Sequence, residues 1–278
     1  MKFQKYNGAG NDFIIINNME EHIPAEKFPA IAQKLCHRHM SLGADGLMVV
    51  EKSGAADYKM LFFNSDGSVG EMCGNGARCI CRYGYENGLA GEVQRVETAS
   101  GIVTGRRIEP RVYTVRLTEP TVIKPAVSAE VRGKAYTCGY VELGTPGLPH
   151  GVVHIPNLRD VPDGELFRLG RALRYHPVFP KGANITFYDF AGENHVFERT
   201  YERGVEDFTY ACGTGTAAVA IILALAGKTA DAGFTADMPG GRLGVDITRS
   251  GDSIEAVYLT GPTNTVATGE ILDEELEV

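Results

Sequence analysis

The chain has no run of five basic residues and carries a net charge of −8, which argues against a nucleic-acid surface. Its longest apolar stretch, Ala217 to Ala226, is about half of the ~20 residues that a membrane span needs. Met1-Lys2-Phe3-Gln4-Lys5-Tyr6-Asn7 lacks the apolar core of a signal peptide, so a soluble, cytoplasmic protein without a membrane or nucleic-acid partner is expected. Cysteine is sparse: six residues, at 36, 73, 79, 81, 138 and 212, are too few for a disulfide scaffold in a chain of this size, and a reducing compartment is expected. Cys73, Cys79 and Cys81 cluster without a CxxC or Cys/His zinc spacing, so no metal is expected. The missing CxxC also speaks against a dithiol redox or thiol-transfer protein. No GxxxxGK[ST] or GxGxxG stands between a strand and a helix, which disfavours a glycine-loop nucleotide binder. What remains is ordinary globular composition, 44% hydrophobic and 22% charged, long enough for one large domain or two of about 140 residues.

Against that background one pattern stands out. Cys73-Gly74-Asn75-Gly76 and Cys212-Gly213-Thr214-Gly215 repeat a Cys-Gly-x-Gly quartet 139 residues apart, half of the 278-residue length. Each quartet precedes a helix-like run. Each cysteine would therefore sit where backbone N–H groups point outward and the helix dipole favours an anion. A thiol in that position can have its pKa lowered into the range of about 3.5–7.5. Taken alone, such a quartet is a glycine-rich turn before a helix with a buried cysteine. Two of them facing across a cleft would make a symmetric acid/base pair suited to inverting a carbon centre. Cys36, Cys79, Cys81 and Cys138 read as packing residues.

The 139-residue offset also maps Gly8 onto Gly147, Asn18 onto Asn157, Phe28 onto Phe167, His37 onto His176 and Gly43-Ala44 onto Gly182-Ala183. The order of predicted elements repeats too. The first half reads as a strand (Asp12–Ile16), a helix (about Ala25–His37), strands at Gly46–Val50 and Tyr58–Phe63, the quartet and a helix (Ala77–Tyr85). The second reads as a strand (Gly151–Ile155), a helix (about Asp163–Tyr175), strands at Ile185–Tyr188 and Val196–Tyr201, the quartet and a helix (Thr216–Leu225). The halves close with strands ending in Leu117-Thr118-Glu119-Pro120 and Leu259-Thr260-Gly261-Pro262. The second quartet's helix is apolar all round and must be buried on every side, which implies a sheet curled around a central helix. The expected division is 1–121 with Cys73, taking back a C-terminal strand at 263–278, and 122–262 with Cys212.

The chain resembles the diaminopimelate epimerase family. The likeness runs nearly end to end through Lys5-Tyr6-Asn7-Gly8-Ala9-Gly10-Asn11-Asp12-Phe13, Asn64-Ser65-Asp66-Gly67-Ser68, Glu71-Met72-Cys73-Gly74-Asn75-Gly76-Ala77-Arg78-Cys79, Tyr201-Glu202-Arg203-Gly204, Ala211-Cys212-Gly213-Thr214-Gly215, Pro239-Gly240-Gly241 and Leu259-Thr260-Gly261-Pro262. The resemblance implies an α/β (α+β) fold of two pseudo-symmetric halves, each a β-sheet rolled around a central helix, with the active site in the cleft between them. It implies cofactor-independent interconversion of LL- and meso-diaminopimelate in lysine and peptidoglycan-precursor synthesis, with Cys73 and Cys212 as thiolate base and thiol acid. A homodimer is common in the family.

On that resemblance, N–H groups of Gly74-Asn75 and Gly213-Thr214 would take up charge spreading into the α-carboxylate, where loss of one preorganised donor costs about 3–4 kcal/mol. Arg203 would grip the distal carboxylate, for which a guanidinium fork is suited, and Glu202 would meet the ammonium at the reacting end. Asn11, Asn64 and Asn184 match amides that complete the polar lining, and His150 is expected to orient Glu202 or the substrate amine. Two segments depart from the family pattern. Gly-Asn-Pro-His becomes Gly144-Thr145-Pro146-Gly147-Leu148-Pro149-His150, and Glu-Arg-Gly-x-Gly-Glu-Thr becomes Glu202-Arg203-Gly204-Val205-Glu206-Asp207-Phe208-Thr209. The alternative is therefore a related racemase, also independent of pyridoxal phosphate, acting on another amino acid.

Overall fold

Phe13-Ile14-Ile15-Ile16 and Leu47-Met48-Val49-Val50 are apolar on both faces, and strands of that kind need cover on both sides. The computed structural model describes residues 1–70, 73–272 and 276. Glu71 and Met72, ahead of the first quartet, and residues 273–275, 277 and 278 of the expected returning segment lie outside the described residues. The chain divides into two units, Met1–Val115 with Gly261–Val278, and Arg116–Thr260.

In the first unit the chain runs through β1 (Lys2–Gly8), β2 (Asn11–Asn17), a one-turn helix α1 (Asn18–Glu21), α2 (Phe28–Cys36), β3 (Gly46–Glu51), β4 (Tyr58–Asn64), α3 (Gly74–Glu86), β5 (Val93–Thr98), β6 (Gly101–Glu109) and β7 (Val112–Arg116). β2 runs parallel to β3 and β4 parallel to β5, and the other neighbours are antiparallel. α2 buries Phe28, Ile31, Ala32, Leu35 and Cys36, the i, i+3, i+4, i+7, i+8 stripe of an amphipathic helix. That stripe packs on Ile14, Ile16, Leu47, Val49 and Phe63, each such side chain contributing about 1.5–3 kcal/mol of burial. α3 lies on the other face and touches β1, β2, β5 and β6, so the sheet wraps around it.

The second unit contains β8 (Pro120–Val131), β9 (Lys134–Leu143), β10 (Leu148–His154), α4 (Asp163–Arg174), β11 (Asn184–Gly192), β12 (His195–Glu202), β13 (Asp207–Thr209), α5 (Gly213–Leu225), β14 (Phe234–Met238), β15 (Gly241–Ser250) and β16 (Ser253–Pro262). β17 (Asn264–Glu270) pairs antiparallel with β1 and completes the first unit's sheet. The sheets then read β17-β1-β2-β3-β4-β5-β6-β7 and β8-β9-β10-β11-β12-β14-β15-β16, with parallel joins at the same two places. Both units are thus one mixed α/β design, an open sheet with a long helix against it. α5 is buried from Gly215 to Ala224 and touches β9, β10, β11 and β15, the environment that an all-apolar helix requires.

Several predicted boundaries differ, and those beside the quartets and at Pro120 have a physical reason. Leu117–Glu119 follow the last residue of β7, Arg116, outside any strand, and Pro120 opens β8 instead of closing β7. Lacking an N–H, proline is suited to the first position of a strand. The two quartet helices begin at Gly74 and Gly213, three residues before the predicted Ala77 and Thr216. Glycine has poor helix propensity, but here the Ala77 N–H closes on Cys73 O at 2.7 Å and the Thr216 N–H on Cys212 O at 2.9 Å. Tertiary packing decides the start.

Candidate active site

The early start makes each quartet cysteine the residue that begins its helix. Cys73 (φ −105°, ψ 123°) and Cys212 (φ −131°, ψ 97°) are both extended, and neither side chain caps the helix that follows. The first-turn N–H groups, which an α-helix leaves without internal partners, therefore keep the outward geometry that favours an anion. Cys73 is half-buried and Cys212 buried. The other four cysteines are buried, and burial pushes their thiols up to about 12 for Cys36, Cys79 and Cys81 and about 11 for Cys138. At neutral pH they are packing groups.

In the first unit, Asn11, Gly74 and Asn75 belong to one hydrogen-bonded network. Asn75 Nδ2 donates to Asn11 Oδ1 at 2.7 Å, and Asn11 Nδ2 donates to Asp45 Oδ2 at 3.0 Å. Arg78, with no exposed surface, donates from Nη2 to Asn75 Oδ1 at 2.8 Å and from Nη1 to Gly74 O at 3.2 Å. Burial brings its guanidinium down to about 10, against the opposing pull of Cys79 and Cys73, so it stays charged at neutral pH. Asn64, the last residue of β4, bonds elsewhere: its amide donates to Ser68 Oγ at 2.9 Å within the following turn.

In the second unit, His150 of β10 stands beside Asn184 of β11 in the parallel register. Asn184 Oδ1 accepts the main-chain N–H of Arg203 at 2.7 Å, and Arg203 Nη1 donates to Lys181 O at 3.3 Å. Asn184 thus positions the backbone of Arg203. Glu202 ends β12 opposite Asp207 of β13. His150 is buried, and among the described residues neither ring nitrogen has a hydrogen-bond partner. Burial, reinforced by the charge of Arg203, brings it down to about 3. It is a neutral packed ring, and its expected orienting contact with Glu202 is not a hydrogen bond. At the helix start, Thr214 Oγ1 lies 3.6 Å from Cys212 Sγ, directly after Gly213.

Beside the departing loop, Glu142 Oε2 accepts Lys181 Nζ at 2.7 Å and Oε1 accepts the Tyr140 hydroxyl at 2.6 Å. Arg78, Asp45, Glu198, Lys181 and Thr216 join these networks without having been singled out as site residues by the sequence. The available signals were Arg78 inside a helix start of small residues, and Glu198 in the same alternating register as Val196 and Thr200. A separate depression of about 790 Å³ between the β8–β9 hairpin and α4 contains none of the candidate residues. Among the described residues, no group of three or more His, Cys, Asp or Glu is placed to hold a metal ion, and no helix is long and apolar enough to cross a membrane.

The sequence profile of the family described as diaminopimelate epimerase matches residues 3–116 and 144–266. The diaminopimelate epimerase of Aquifex aeolicus (strain VF5) is 37% identical over 292 residues, covering 100% of both chains. That of Methanocella arvoryzae is 36% identical over 280 residues, covering 98% of this chain and 96% of the relative. Among solved structures, a PhzF-family phenazine biosynthesis protein from Bacillus anthracis matches with a TM-score of 0.74 at 17% identity, over 98% of this chain and 99% of that one. A hydroxyproline epimerase from Agrobacterium vitis matches with a TM-score of 0.69 at 16% identity, over 99% and 94%. At these identities the structural likenesses bear on the fold.

Proposed function

The chain belongs to the diaminopimelate epimerase family and is an isomerase, and from that premise we propose that it interconverts LL- and meso-diaminopimelate with Cys73 and Cys212 as its acid/base pair. One cysteine, as thiolate, takes the α-proton: its S–H bond forms as the Cα–H bond breaks. The other, as thiol, returns a proton to the opposite face: its S–H bond breaks as the new Cα–H bond forms. The electron pair left at Cα spreads meanwhile into the α-carboxylate. N–H groups of Gly74-Asn75 and Gly213-Thr214 stabilise that charge, as preorganised donors do. Positioning and matched proton affinities supply the rest, without a cofactor.

The observation that carries this proposal is the duplicated helix start: the same extended, uncapped Cys-Gly-x-Gly segment opens a buried helix in both units. Asn11 supports the first of these starts through Asn75. Arg203, with its main chain fixed by Asn184, is assigned the distal carboxylate, and Glu202 the ammonium. Solvent deuterium entering Cα without added cofactor tests the scheme. Exchange with diaminopimelate is expected to vanish in both Cys73→Ala and Cys212→Ala, and rapid exchange surviving either change sinks the two-thiol mechanism.

A second reading, a racemase for another amino acid, is favoured by one local observation. The loop Gly144–His150 departs from the family pattern, and a Cβ at its Gly147 would collide with the buried Glu142 carboxylate that Lys181 and Tyr140 hold. LL-diaminopimelate run beside glutamate, histidine and lysine decides between the two: diaminopimelate is expected to exchange fastest, and a faster competitor reverses the choice.

A further inference from the structure

β12 turns Val196, Glu198 and Thr200 to one buried face, and Glu198 meets α5 there. Thr216 Oγ1 lies 2.8 Å from Glu198 Oε2 and 3.1 Å from the main-chain oxygen of Cys212. A threonine hydroxyl has one proton and cannot donate to both. Were Glu198 a carboxylate, Thr216 would donate to it and face Cys212 O with a lone pair. A protonated Glu198 resolves the count: its O–H donates to Thr216 Oγ1, and Thr216 donates to Cys212 O.

Two further observations agree. Glu198 is 2% exposed, and its Oε1 is buried without a partner among the described residues, a condition far less costly for a neutral acid than for an anion. Burial, opposed only by the Thr216 hydrogen bond, pushes its carboxyl up to about 8.

We propose that Glu198 is a positioning residue for Cys212: it is held as the neutral acid, and through Thr216 its proton fixes the main-chain oxygen of Cys212 at the start of α5. The inference rests on Cys212 being a reacting thiol. Ionisation undoes the arrangement. The Thr216 proton turns to the carboxylate, Cys212 O keeps the Thr216 N–H, and a buried negative charge stands behind the thiol, raising the work of forming a second anion there.

The surrounding groups leave this titration to Glu198. Tyr188, opposite Glu198 across the β11–β12 ladder, is pushed up by burial and by Asp189. On β10, His150 is neutral above about pH 3, and on β9 Cys138 is raised to about 11. For Glu142 of β9, burial pulls upward but the bonds from Lys181 and Tyr140 prevail, holding it below the usual carboxylate range. His154 of β10 and His195 of β12 sit against Asp189 and Asp237. Arg242, Asp246 and Arg249 carry the charges of β15.

Infrared difference spectroscopy reads the proton without any substrate. A carboxylic-acid C=O band is expected at pH 7, fading as the pH rises through about 8 and missing from Glu198→Gln; its absence from the wild type at pH 7 overturns the proposal. Iodoacetamide labelling of Cys212, followed under reducing conditions by peptide mass spectrometry, reads the coupling whichever amino acid the enzyme turns over. Glu198→Gln, whose amide donates in place of the acid, is expected to label at the wild-type rate at pH 7 and about tenfold faster than wild type at pH 9. Coincident profiles over that range overturn the coupling. Should Glu198→Gln fail to fold, Thr216→Val is expected to shift the band by removing its hydrogen-bond partner, and an unshifted band overturns the assignment. A protein that passes these tests but leaves diaminopimelate unchanged refutes the proposed substrate and not this inference.

Discussion

Behind Cys73 stands a buried guanidinium, and behind Cys212 a buried carboxyl and a hydroxyl. Arg78 reaches the first turn of α3 at Gly74 O and Asn75 Oδ1. Glu198 reaches the first turn of α5 through Thr216 and Cys212 O. The backbones agree closely: both helices begin from an extended cysteine, and both sheets keep the same sequence of parallel and antiparallel joins. The divergence lies one layer behind the thiols. A cation near Cys73 favours its thiolate, since opposite charge lowers a thiol's pKa. The carboxyl behind Cys212, held neutral as proposed, adds no charge of its own there. On the proposed mechanism the two cysteines must differ by one proton at any moment, and the two linings supply a standing bias for which one holds it.

The largest expected effect tests the neutral side of this comparison. The folded carboxyl of Glu198 lies near 8, above its ordinary value of 4.5. Between those values the folded chain keeps a proton that the unfolded chain releases. Its contribution is thus full below about pH 4.5 and is lost as the pH rises through about 8, at up to about 1.4 kcal/mol per pH unit. His150 works in the opposite sense. Lowered from 6.5 to about 3, it contributes fully above about pH 6.5 and loses that contribution as the pH falls toward 3. The two slopes oppose each other between about 4.5 and 6.5. Urea denaturation from pH 4 to 9 should therefore show Glu198→Gln gaining several kcal/mol on wild type as the pH rises from about 4.5 to 8. A constant difference across that range means that Glu198 is already ionised in the fold.

Arg78→Met tests the cationic side. It leaves Asn75 Oδ1 without the guanidinium, at about 1–3 kcal/mol for a buried acceptor left unsatisfied, removes the second bond to Gly74 O, and takes the nearby positive charge from Cys73. Iodoacetamide labelling of Cys73 at pH 7 should slow, while that of Cys212 keeps its wild-type rate. Equal slowing at both cysteines would mean general loosening of the fold and would remove the claimed asymmetry.

The duplicated frame was legible in the sequence because its signals are local. Asp12–Ile16 and Gly46–Val50 read as strands, about Ala25–His37 as a helix, and Thr216–Leu225 as a helix that is apolar all round. The quartets marked the helix starts, although Gly74 and Gly213 hid the first turns behind their low propensity. The second layer was not legible, because it depends on which face a residue takes. Alternation puts Glu198 on the face of Val196 and Thr200, but only the register against β11 and the bond from Thr216 place it beside Thr186, Thr200 and α5. Asn184 was found for its family position, but only the β10–β11 register and its bond to the Arg203 main chain give it a task. His150 was expected to orient Glu202 or the substrate amine, and burial leaves both its ring nitrogens without a hydrogen-bond partner among the described residues.

The smallest expected effects separate the two helix starts at the last glycine of each quartet. A Cβ at Gly76 would stand 2.5 Å from Met48 Cε, the far end of a flexible side chain that can swing aside. A Cβ at Gly215 would stand 2.6 Å from Thr186 Oγ1 and 3.3 Å from Cys212 Sγ. Thr186 cannot yield as Met48 can: it is β-branched, and its hydroxyl is hydrogen-bonded to Thr200 at 3.0 Å. Gly215→Ala should therefore lower stability by about 1–3 kcal/mol, as overpacking does, and slow Cα exchange by displacing Cys212. Gly76→Ala should stay within about 1 kcal/mol of wild type, because replacing a helical glycine recovers about 0.5–1 kcal/mol against the small cost of moving Met48. Denaturation midpoints and exchange rates measured on both variants check this. Equal losses would place the two glycines in equivalent surroundings and confine the asymmetry of the units to Arg78 and Glu198.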